Sequence, residues 1–171
     1  MKKILPIFLI LAFISDLNAQ TPSLFWAKQQ SGSSGETAKT VVVDALGNSY
    51  ILGFYSGTMD LDPGPGVVSV STVGSSDVYL VKLDPNGNFV WGKSYGSSGT
   101  DEGITLCLDD KGILLCYRFL TQIDFSSGAG TLMLNSFGDF DAFLLKLILQ
   151  VMNSGLNNLA ALWVLKKGGQ L

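Results

Sequence analysis

Histidine is absent from this chain of 171 residues, and cysteine occurs only twice. Without an imidazole there is no Ser-His-Asp or Cys-His relay, and none of the common histidine-bearing zinc sites. Charge is sparse as well: Asp, Glu, Lys and Arg make up 15% of the residues and balance to a net −3. No basic stripe is available to neutralise phosphates, so nucleic acid is not an expected partner. Long apolar runs are also missing. The longest, Ile4 to Ile14, falls short of the roughly 20 residues a spanning helix needs. It follows Lys2 and Lys3 and leads to Asn18-Ala19, the layout of a cleavable export signal. Residues 1–19 are therefore read as a signal peptide, with Gln20 opening the mature chain and no membrane span expected after cleavage.

What the chain does contain is a repeat. Trp26, Lys28, Asp44, Gly47 and Phe54 return as Trp91, Lys93, Asp109, Gly112 and Phe119 at an offset of 65. A one-residue deletion, placed near Leu120, then shifts the offset to 64. With it, Asp60, Gly64, Gly66, Asp77, Leu80 and Lys82 fall on Asp124, Gly128, Gly130, Asp141, Leu144 and Lys146. Such periods mark stacked units, each unable to bury its own apolar face. Two units are fewer than the three or so that usually close a continuous core.

Within a unit the pattern is one of short strands parted by turn signals. Ala38 to Val43 turns through Asp44-Ala45-Leu46-Gly47-Asn48 into Ser49 to Tyr55. A Gly/Pro-rich excursion from Asp60 to Gly66 and a short strand from Val67 to Thr72 follow. Asp77 to Leu83 then turns through Asp84-Pro85-Asn86-Gly87-Asn88 into Phe89 to Tyr95. The run Val41-Val42-Val43, apolar on both faces, suits a strand held between neighbouring sheets. Four main strands with one short insertion fit a propeller blade. The expected fold is all-β: an incomplete β-propeller of two antiparallel four-stranded blades. Residues 20–35 form a leading outer strand and linker, 36–97 the first blade, 98–147 a second, incomplete blade, and 148–171 an atypical tail.

The run from Asp84 to Lys93, the hairpin carrying Asp44, Gly47, Asn48, Tyr50 and Gly53, and the segment Asp60-Leu61-Asp62-Pro63-Gly64-Pro65-Gly66 together resemble the SBBP-type β-propeller repeats of secreted and cell-surface bacterial proteins. The resemblance spans about Phe25 to Leu147. It implies radially arranged four-stranded blades and no established catalytic activity. The chain departs from the pattern at Arg118, where Gly53 stands in the first unit, and at Ser126-Ser127, where Asp62-Pro63 stands.

By analogy with Lys82 to Asn88, Lys146-Leu147 should lead into another Asp-Pro-x-Gly-Asn turn and a Trp strand. The written tail does neither. Codons read one base earlier permit Leu-Asp-Pro-Ser-Gly-Asn-Glu-Phe-Trp-Ala-Lys-Gln from Leu147 onward, and its last four residues repeat Trp26 to Gln29. The tail is therefore read as a frameshifted third repeat. The alternative is a short C-terminal helix, since Leu156, Leu159, Ala160 and Trp163 recur at helical spacing ahead of Lys166 and Lys167.

Most candidate sites resolve into architecture. Asp44 with Asp109, and Asp77 with Asp141, recur once per unit, which suits Asx-type turn bonds better than acid/base work. The Trp and Lys pairs suit sheet packing and solvated edges. If Leu108 pairs with Ile113, Cys107 and Cys116 are diagonal neighbours about 7–8 Å apart, beyond the usual disulfide range. Both are expected as buried free thiols. Asp60-x-Asp62-x-Gly64-x-Gly66 is the one metal candidate, offering alternate oxygens to Ca²⁺ through Asp60 and Asp62. Only two carboxylates are present, however, where the ion takes six to eight oxygens. No other cofactor is expected. The functional expectation is an exported, non-enzymatic propeller piece serving as an extracellular scaffold or binding module for a protein or glycan ligand. A self-assembling surface adhesin is the competing reading, since open blade edges invite self-association. A piece of a propeller-scaffold lyase or hydrolase is a third.

Overall fold

The computed structural model describes residues 23–109, 112–124 and 133–148. The segment expected to be a signal peptide, and the tail beyond Ile148 with its alternative helix, lie outside the described residues. Twelve strands occur within them: β1 (Ser31–Gly32), β2 (Glu36–Val43), β3 (Ser49–Tyr55), β4 (Thr58–Asp60), β5 (Ser69–Ser71) and β6 (Asp77–Leu83), followed by β7 (Phe89–Tyr95), β8 (Glu102–Asp109), β9 (Gly112–Phe119), β10 (Gln122–Asp124), β11 (Met133–Asn135) and β12 (Asp141–Ile148). No helix occurs among the described residues. The described residues are all-β and form several antiparallel sheets that do not close into a propeller.

The first large sheet has the order β2-β3-β6-β7 and the second β12-β9-β8. The second therefore has three described strands, not the four expected of each unit. Its fourth, by the spacing of the repeat, would fall in the tail. Two small ribbons, β1-β4-β5 and β10-β11, flank the large sheets.

Local chemistry explains the hairpins. Asp44 N–H donates to the Asn48 carbonyl and Gly47 N–H to that of Asp44, and the same two bonds recur between Asp84, Asn88 and Gly87. Gly47 and Gly87 take left-handed φ values of 84° and 76°, a region that costs glycine little. The deletion between the units sits in the second copy of this turn, not near Leu120. Val43 pairs with Ser49 across residues 44–48, whereas Leu108 pairs with Ile113 and Asp109 with Gly112. Removing one turn residue leaves both strands in register. The offset is thus already 64 along β9, so Tyr117, not Arg118, occupies the place of Gly53, and Arg118 that of Phe54. A bulge recurs too, at Lys39 between Ala38 and Thr40 and at Ile104 between Gly103 and Thr105.

The two large sheets pack face to face. Tyr50, Leu52, Val78, Leu80 and Tyr95 of the first meet Leu106, Ile113, Leu115, Tyr117, Phe119, Leu145 and Leu147 of the second in one core. Trp91 packs at its margin, with its ring edge-on to Tyr50 at 6.2 Å. Contact is closest along β8, which lies against β2 and β3. A Cβ on Gly103 would come within 2.9 Å of both Leu52 and the Gly53 carbonyl, so the sheets approach at van der Waals range there. The opposite face of the first sheet carries a second core of Tyr55, Tyr79, Val81 and Leu83, roofed by Met59, Leu61 and Trp26.

Candidate interaction groove and turn carboxylates

That second face is only partly covered. Val41, Ile51 and Val81 form one cross-strand row and Val43, Ser49 and Leu83 the next. Toward β6 these rows are buried, but on β2 Val41 and Val43 are 59% and 60% exposed. The sandwiched strand expected from Val41-Val42-Val43 is thus covered on one side only, where Val42 packs against the core.

Residues 23–30, expected as an outer strand, adopt no regular structure and have no strand partner among the described residues. Side chains hold this segment in place instead. Trp26 Nε1 donates to the Pro85 carbonyl at 3.1 Å, and Gln30 Nε2 to that of Leu61 at 3.3 Å. A Cβ on Gly87 would meet the Trp26 ring at 2.9 Å and Lys28 Cε at 3.1 Å, so the glycine makes room for both. Between this segment and β2 lies a groove of about 340 Å³, with Trp26, Lys28, Val41, Ile51, Tyr79 and Leu83 among its lining residues. Burial, reinforced by the Glu36 carboxylate, pushes the Tyr79 phenol up to about 12, so it presents a neutral wall at physiological pH. The sequence pattern assigns Trp26 to packing alone. The signal for a groove was the mismatch between a Trp strand motif and the lack of a matching partner strand ahead of it.

The recurring carboxylates close turns, as their spacing implied. Asp44 Oδ1 accepts from Leu46 N–H and Asn48 N–H, and its Oδ2 from Asn48 Nδ2 and the Tyr50 hydroxyl. Burial raises its pKa, but these bonds outweigh that effect and hold it below the usual carboxylate range. Asp84 repeats the arrangement with Asn86 and Asn88. Asp109 accepts from Gly112 N–H and pairs with Lys146. Asp77 accepts from Val73 N–H and Asp141 from Phe137 N–H, each four residues upstream. Asp101 does the same with Ser97, taking its N–H at 2.6 Å. Asp101 is fully buried; burial, opposed by the Ser97 bonds and aided by the nearby Asp77 charge, pushes its carboxyl up to about 6.

Of the calcium candidates, Asp60 ends β4 and Asp62 lies in the loop that follows it. Asp60 Oδ1 accepts from Asp62 N–H and Val68 N–H, and Asp62 Oδ1 from Gly64 N–H. One oxygen of each is thereby committed to the backbone. Among the described residues no third His, Cys, Asp or Glu joins them in a metal-holding group. Cys107 and Cys116 are free and sit in the expected register, opposite Leu114 and Thr105. They are not buried as expected: Cys107 is exposed and Cys116 half-buried, because both point away from the core, on the outer face of the second sheet. Arg118 pairs with Glu102 at 2.7 Å and stacks on Phe140 at 4.4 Å, as Lys39 stacks on Phe54 in the first unit.

No protein-family model matches the chain, and no solved structure matches it. An uncharacterized WD repeat-containing protein of Acanthamoeba polyphaga mimivirus is 28% identical over 101 residues, taking in 51% of this chain and 7% of the viral protein. WD repeats build propellers, so the likeness points to a propeller-like repeat protein. It does not extend to the narrower SBBP resemblance.

Proposed function

We propose that this chain is an exported, non-enzymatic piece of an SBBP-like β-propeller repeat protein, whose sheets serve as an extracellular scaffold or binding module. One observation carries the reading. The chain leaves the first sheet at its far edge, β7, and enters the next at β8, which lies against β2 at the opposite edge. Stepping from outer strand to inner strand between face-packed sheets is how radial blades are joined. The repeated turn, bulge and carboxylate bonds support it. The tail fits the same reading as a third unit displaced by a frameshift.

Expression with its own leader in a bacterial host, followed by fractionation and N-terminal sequencing, tests export. Protein outside the cytoplasm beginning at Gln20 is the expected result, and cytoplasmic chain retaining Met1 would count against it. Nucleotide sequencing of the locus from the Leu147 codon onward tests the repeat reading. Further Trp-Lys and Asp-x-x-Gly units in some frame are expected there; their absence from every frame would remove the frameshift.

A further inference from the structure

We infer that the groove over the first sheet is a docking site for a second copy of this chain, whose three-stranded sheet takes residues 24–30 as its fourth strand. The inference deepens the repeat reading above by naming the partner of the open face. Two unmatched elements carry it. Among the described residues, the edge of β12 away from β9 pairs with nothing. Residues 23–30 have the opposite defect: they repeat the Trp-x-Lys of β7 but join no sheet among the described residues.

The internal interface supplies the geometry. In the first sheet Leu80 pairs with Lys93, Val81 with Gly92 and Lys82 with Trp91. Moving β6 forward by 64 and β7 back by 65 gives the corresponding pairs between two copies. Leu144, Leu145 and Lys146 of one copy then lie opposite Lys28, Ala27 and Trp26 of the other. The faces match by the same rule. Val42 and Leu52 of the first sheet cover the second sheet in the internal core. Their counterparts Cys107 and Cys116 lie on the uncovered outer face of the second sheet. What that internal interface covers, Leu106 and Leu108, corresponds to Val41 and Val43, the exposed side of the groove. A second copy would therefore bring its open strand edge to the unpaired segment and its outer face to Val41 and Val43 in one placement.

Such a contact is head to tail, joining different surfaces on the two copies, so it continues until it closes into a ring or extends as a filament. Propellers close at about four to eight sheets, a number reached with two to four chains if each contributes the two large sheets of the described residues.

The test uses the mature full chain with both native cysteines replaced by serine, carrying either Lys28→Cys or Leu144→Cys. Each variant is treated with a short bifunctional thiol crosslinker, alone and mixed. The expected product is a covalent dimer abundant in the mixture and scarce in either variant alone. Dimer from Lys28→Cys alone would show a symmetric contact and overturn the inference, as would no dimer in the mixture while circular dichroism shows both variants folded. Hydrogen exchange on the unsubstituted chain probes the same contact without substitutions. Amides of 24–30 and 141–147 should gain protection together as concentration rises. Protection that does not change with concentration, as when residues 149–171 of the same chain occupy the β12 edge, would overturn it. Failure here leaves the repeat reading standing. That reading fails separately, if the two sheets show unrelated exchange patterns.

Discussion

At the scale of single residues, the carboxylates show how one side-chain type serves two electrostatic settings. Asp44 holds four donors at the end of a hairpin. Asp44→Ala should cost about 1–2 kcal/mol in urea unfolding, since net hydrogen-bond contributions run near about 1 kcal/mol and the Tyr50 hydroxyl loses an acceptor. Asp44→Asn, which keeps one acceptor oxygen, should cost less. Asp101 behaves in the opposite sense. Its folded pKa is raised to about 6, against about 3.9 for an unfolded Asp. The native state therefore holds the extra proton between those values. That stabilisation is complete below about pH 4 and is lost as pH rises through about 6. The thermal midpoint should fall across that interval, and the fall should be smaller in Asp101→Asn; equal slopes for the two proteins would refute the assignment. The Asx role of Asp44 was legible in the sequence because it depends on neighbours within six residues. The burial of Asp101 was not, because it depends on Ser76 and Leu120, far along the chain.

At the scale of elements, the strands of the first sheet lie close to where alternation and turn residues put them. Residues 23–30 carry the pattern of a strand without forming one, since a strand needs a neighbour and local pattern cannot supply it. The same limit hid the position of the deletion, as only the pairing of Leu108 with Ile113 shows which turn is shorter. Gly53 illustrates what pairing adds. A Cβ there would fall 2.0 Å from the Thr37 carbonyl and 2.7 Å from the Tyr79 ring. Gly53→Ala should destabilise by about 1–3 kcal/mol, the usual range for overpacking, with a lower urea midpoint and unchanged slope. A neutral result would refute the clash, since the Thr37 backbone carbonyl as well as the Tyr79 ring would have to give way.

At the scale of the whole molecule, the open face of β2 decides behaviour. Val41 and Val43 are more than half exposed, so Val41→Lys with Val43→Lys removes little buried area and should leave the unfolding midpoint of dilute protein nearly unchanged. Sedimentation should nevertheless show the mass of concentrated protein dropping to that of a single chain. If the double variant still associates, the contact lies elsewhere. The ring in each sheet's central row also has a consequence beyond packing. In the first sheet Tyr79 on β6 lies over Gly53 on β3, whereas in the second Tyr117 on β9 pairs with Gly103 on β8. The second row thus keeps an aromatic, Phe143, in the place of Tyr79, adds a ring in the place of Gly53, and has its glycine in the place of Ala38. Recombination that exchanged only β3 for β9 would put the Tyr117 ring where even a Cβ meets the Thr37 carbonyl at 2.0 Å and the Tyr79 ring at 2.7 Å, while the reciprocal product would lose the ring that now fills the core against Gly103. Inheritance of these units by duplication should therefore proceed in whole sheets, with crossover points tolerated in the 96–101 linker and selected against inside either hairpin.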